Sequence, residues 1–65
     1  MGTPTKGQIY RSDTALDDFD YIIDDVNEQH VYITVVAGQN VGEHYRWPLQ
    51  VFIDSNDELV QDVES

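Results

Sequence analysis

Apolar and polar positions alternate with a period of two over much of this chain, the pattern of strands with one face on a core and one on water. The clearest run is His30-Val31-Tyr32-Ile33-Thr34-Val35-Val36-Ala37, rich in β-branched and aromatic residues, with Val31, Ile33 and Val35 on one face and Tyr32 and Val36 on the other. Upstream, Lys6 to Arg11 reads as a short strand entered through Gly7, and Ile9 and Tyr10 point to opposite faces. Ser12 to Asp18 is a polar connection. Downstream of a Gly38-Gln39-Asn40-Val41-Gly42 loop, His44-Tyr45-Arg46-Trp47 returns as a strand with Tyr45 and Trp47 on one face, and Pro48 ends it. Leu49, Phe52 and Ile53 have the i, i+3, i+4 spacing of one helical turn. Asp54 to Asp57 is a turn, and Glu58 to Val63 forms a last short strand.

Asp13 to Glu28 carries two patterns at once, and the fold depends on which prevails. As a helix, Ala15, Leu16, Phe19, Ile22, Ile23 and Val26 make an apolar stripe, and Thr14 with Asp17 suits a capping box. Against it stand like charges four apart at Asp13/Asp17, Asp20/Asp24 and Asp24/Glu28. The helix would also run into the strand at His30 with neither Gly nor Pro to stop it. As a strand, Phe19, Tyr21 and Ile23 share one face and Asp18, Asp20 and Asp24 the other, although Ile22 and Val26 break the alternation. Asn27-Glu28-Gln29 is then a short hairpin loop. The hairpin is favoured, giving a mainly β protein: a small SH3-like barrel of about five antiparallel strands with one short helical turn. The alternative is an α+β fold, a helix over residues 14–28 packed on a three-stranded antiparallel sheet.

Size and charge narrow the functional classes. In 65 residues there is room for one small core, so residues 6–65 read as a single domain behind a flexible tail, Met1 to Thr5. Without cysteine, neither a disulfide nor a Cys/His zinc site can staple it. Thirteen acids against three bases give a net charge of −10. Seven acids lie between Asp13 and Glu28 and five between Asp54 and Glu64, flanking a nearly neutral middle that holds only Glu43 with Arg46. Such a surface repels nucleic acid and anionic membranes and attracts basic protein patches. A solvated face that keeps a small protein soluble accounts for the same acids. No apolar run approaches a membrane span, and the first residues lack a secretory segment, so a cytoplasmic protein is expected.

The order Gly-Gln-Ile-Tyr at 7–10, the aromatic-flanked hairpin at 19–37, Arg46-Trp47-Pro48-Leu49 with Phe52, and Leu59-Val60 near the end resembles small SH3-like barrel domains of unknown function in bacteria and their mobile elements. The resemblance spans nearly the whole chain. It implies that Trp47, Leu49 and Phe52 are core residues sealing one end of the barrel, and it carries over no functional residue.

Catalytic signals are thin. His30 and His44 sit in strand sequence, no serine stands in a nucleophile elbow, and no phosphate loop is present. Asp24 and Asp25 are adjacent, so a regular strand sends them to opposite faces. Asp54, Asn56 and Glu58 match the first oxygen-ligand spacings of an EF-hand loop, but Leu59 and Ser65 stand where glycine and the bidentate Glu belong. The chain is therefore expected to be non-catalytic, with no cofactor and no metal site. It reads as an acidic interaction module for a protein with a basic or apolar patch, with a homodimer as a further possibility. The expected surface is Tyr10, Tyr32 and Val36 with Asp17, Asp18, Asp20 and Asp24. The alternative is an inhibitor that mimics DNA and occupies a host nucleic-acid groove, which needs carboxylates in rows about 7 Å apart.

Overall fold

In a computed structural model, residues 3–13 and 18–63 are described. The elements run β1 (Ile9–Asp13), β2 (Asp18–Val26), β3 (His30–Gly38), β4 (His44–Pro48), α1 (Leu49–Ser55) and β5 (Glu58–Gln61). All pairings are antiparallel, in the order β4-β3-β2-β1-β5. Five strands and one short helix match the expectation. No pairing joins β4 to β5 among the described residues, so the sheet stays open where a barrel would close.

The hairpin wins over the helix because the strand pattern can absorb its own irregularity. Ile23 pairs with Ile33 and Asp25 with Tyr32, leaving Asp24 as an extra, bulged residue. That one-residue insertion returns Val26 to the core side, opposite buried Val31, although Ile23 and Val26 are three apart. A second irregularity lies at the other end of the pair, where Tyr21 meets Val35 and Asp20 meets Ala37, so Val36 is extra. The connecting turn is closed by Asn27, whose Oδ1 accepts the backbone N–H groups of Gln29 and His30, both at 2.8 Å.

The buried core is Tyr21, Ile23, Val31, Ile33, Val35 and Phe52. Tyr21 is its aromatic hub: the Trp47 ring meets it edge-on at 5.0 Å, Phe19 lies at 5.8 Å, Tyr10 stacks at 6.1 Å and Phe52 stands at 6.4 Å. Helix α1 covers this face by inserting Phe52, with Leu49 and Ile53 half-buried beside it. Of the three residues expected to seal the core, Phe52 is buried while Trp47 and Leu49 are half-buried. Pro48 starts α1 without a capping side chain, and the Leu49 N–H instead donates to the Gln29 carbonyl at 2.9 Å. Asn56 ends the helix in the left-handed conformation.

Two boundaries differ from expectation. Pro4 is buried, and Thr5 is tied to Gln8 by its N–H to the side chain at 2.7 Å and its carbonyl to the Gln8 N–H at 3.1 Å. The described part of the expected tail thus belongs to the domain. Gly38 is where β3 crosses closest to β2: with φ of +96°, any Cβ there would lie 2.7 Å from the Asp18 carbonyl oxygen.

Candidate interaction surfaces

Strand pairing decides which side chains each face presents. On the outer face, remote from α1, three cross-strand rows follow from the register. One is Arg46-Tyr32-Asp25, the next His44-Thr34-Ile22-Ile9, and the third Ala37-Asp20-Arg11-Glu58. Arg11 Nε donates to Asp20 Oδ1 at 3.0 Å, and with Glu58 on its other side it is a cation between two acids. The pair is solvent-exposed and adds little stability. Thr34 Oγ1 donates to Asp24, and His44 Nδ1 lies 2.8 Å from the same hydroxyl, a chain of side chains lacing β2, β3 and β4 together. The bulge makes that contact possible by holding Asp24 toward Thr34.

The residues expected to form a surface are dispersed. Tyr10 points inward: it stacks on Tyr21, meets Phe52 edge-on at 5.0 Å and donates its hydroxyl to Gln8 Oε1 at 3.0 Å. Burial, then the nearby charge of Asp62, raises its pKa above the usual tyrosine value. Tyr10 is therefore a core-flanking residue, because pairing with Tyr21 turns it, and not Ile9, toward the helix. Tyr32 lies half-buried on the outer face between Asp25 and Arg46, and Val36 is exposed at its bulge. Asp18 is exposed, Asp20 is held by Arg11 and Asp24 by Thr34. Asp17 lies outside the described residues. Near the suggested EF-hand spacing, Asp54 accepts from Gln50 at 2.9 Å, and Asn56 is the helix cap. Among the described residues no group of three or more acids and histidines gathers at metal-binding distance. Nor is any helix among them long and apolar enough to cross a membrane.

The inner face offers an opening that the strand pattern does not announce. Beyond the edge of α1, the rings of Tyr45 and Trp47 stack 6.3 Å apart and 8° from parallel along β4, the terminal strand of the sheet. With Phe19, Val35, Gln39 and Asn40 they line a groove of about 230 Å³. Tyr45 remains 40% exposed. A second hollow of about 220 Å³, lined by Ser12, Val51, Phe52, Ser55 and Asp57, shares Phe19 and Trp47 with the first. The two form one aromatic channel across the open side of the sheet. Its polar end is the β3–β4 turn, fixed by Asn40 at φ +62° and by hydrogen bonds from Gly42 N–H to Val35 O and Glu43 N–H to Asn40 O. The i, i+2 pair Tyr45/Trp47 is the sequence signal for this groove, but it acquires meaning only once β4 is placed at the edge.

No family model matches the chain, and neither a curated protein nor a solved structure is significantly similar to it.

Proposed function

We propose that this chain is a non-catalytic interaction module that engages a basic surface of another protein. The observation that carries this reading is the aromatic groove of Phe19, Tyr45 and Trp47, left open on a terminal strand in a chain of net charge −10. Aromatic side chains left exposed at a concave site cost solubility unless a partner covers them, and they are enriched where partners dock. The long-range field speeds encounter with cationic surfaces and disfavours anionic ones.

The outer face supports a protein partner over DNA mimicry. Its acids are separated by Arg11, Arg46, Ile9, Ile22 and Tyr32, whereas imitation of a phosphate backbone calls for uninterrupted rows of carboxylates. The test is capture of partners from the source cell at low salt, followed by calorimetry with each purified protein and with Tyr45→Ala. Binding by a basic partner that weakens with added NaCl and with Tyr45→Ala supports the reading. Partners that are acidic, or whose affinity ignores both salt and Tyr45, overturn it.

A further inference from the structure

We propose that the groove between Phe19, Tyr45 and Trp47 holds an arginine side chain of the partner, its guanidinium stacked on the aromatic faces. This rests on the basic-partner reading and adds the chemistry of its central contact. The groove measures about 230 Å³, below the roughly 300 Å³ at which pockets for whole small molecules begin, so it fits one long side chain.

Its lining selects the kind of side chain. Three walls are aromatic, and the remaining polar groups are the amides of Gln39 and Asn40, whose carbonyl oxygens can accept N–H groups. No carboxylate lines it, so a cation there is held by ring faces and amide oxygens and not by a direct ion pair. That favours a planar, weakly hydrated guanidinium over the strongly hydrated ammonium of lysine. The chain's own arginines do not compete, because Arg11 and Arg46 stand on the outer face, paired across strands with Asp20 and Tyr32. An aliphatic side chain would cover the rings but leave both amides and the negative field unused.

Capped pentapeptides Gly-Ser-X-Ser-Gly, with X as arginine, citrulline, lysine or leucine, test this against the full chain by ¹⁵N-resolved NMR. Trp47 is the single tryptophan, so its indole N–H is an unambiguous reporter, read beside the side-chain amides of Gln39 and Asn40. The arginine peptide is expected to shift those three signals saturably. Citrulline, which keeps the shape and loses the charge, is expected to bind about tenfold more weakly, and lysine to fall between. Tyr45→Ala should weaken arginine binding about tenfold, while Tyr45→Phe retains it and shows that a ring, not fold integrity, is what matters. Equal binding of citrulline or leucine overturns the proposal, as does the absence of any shift at the three reporters. Shifts confined to Asp20, Asp24 and Asp25 would overturn the arginine site and leave the basic-partner reading standing.

Discussion

The hydroxyl of Tyr21 on β2 donates to Asp57 Oδ2 at 2.5 Å, joining the most buried aromatic residue to the turn that launches β5. It is the polar exit of an otherwise apolar core: a phenol with no solvent access must find an acceptor, and a carboxylate is a strong one. Removing the hydroxyl with Tyr21→Phe keeps the ring's four aromatic neighbours and loses the bond, so a loss of about 1–3 kcal/mol is expected in urea unfolding. Asp57→Asn retains an acceptor oxygen and should cost less. Equal stability of Tyr21→Phe and the parent would show that Asp57 contributes nothing to holding β5.

Alkaline pH should unfold the protein through the same residue. Burial first, then the hydrogen bond to Asp57 and its charge, pushes the Tyr21 pKa far above the usual tyrosine value, and Tyr10 is raised as well. A folded-state pKa above the unfolded one means stability is fully present below about pH 10 and is lost as pH rises beyond it, since only the unfolded chain releases these protons there. The expected slope of stability against pH above 10 is close to two protons in the parent and one in Tyr21→Phe. A flat profile to pH 11.5 would contradict both shifts.

Gly38→Ala should destabilise although the residue is exposed. The substitution forces a side chain into φ of +96° and brings its Cβ within 2.7 Å of the Asp18 backbone, which cannot swing aside as a side chain could. A loss of about 1–3 kcal/mol is expected. Gly42→Ala is the control, with a similar φ of +94° and nothing near its Cβ, and should cost less.

The strands at 30–37 and 44–47 were legible because β-branched and aromatic residues alternate there without interruption. The segment from Asp18 to Val26 was ambiguous for a physical reason. The bulge at Asp24 places Ile23 and Val26 on one side, a spacing that a helix also produces. Period-two reading also cannot tell which face is the core, so Tyr10 and Ile9 were interchangeable until the register paired Tyr10 with Tyr21. The groove depended on a non-local fact, the order β4-β3-β2-β1-β5, which leaves Tyr45 and Trp47 at an open edge. No local signal in residues 44–47 distinguishes an edge strand from a central one, apart from Pro48.

Salt should separate the two kinds of partner by sign. In sequence, the neutral apolar stretch at 30–37 stands apart from both acidic zones, and a second copy could cover Tyr32 and Val36 with the acids held away. Folding undoes that separation, because β3 pairs with β2 and sets Tyr32 beside Asp25 and next to the row containing Asp20. Two copies meeting on this face bring like charges together, so self-association there should strengthen as NaCl is raised from 20 to 500 mM, through screening over a Debye length that falls from about 20 Å to about 4 Å. Binding to a basic protein should weaken over the same range. Sedimentation equilibrium of the chain alone, beside calorimetry with its partner, measures both. A dimer that dissociates on adding salt would mean that its contacts pair opposite charges, and that the outer face, with its acids interleaved, is not the interface.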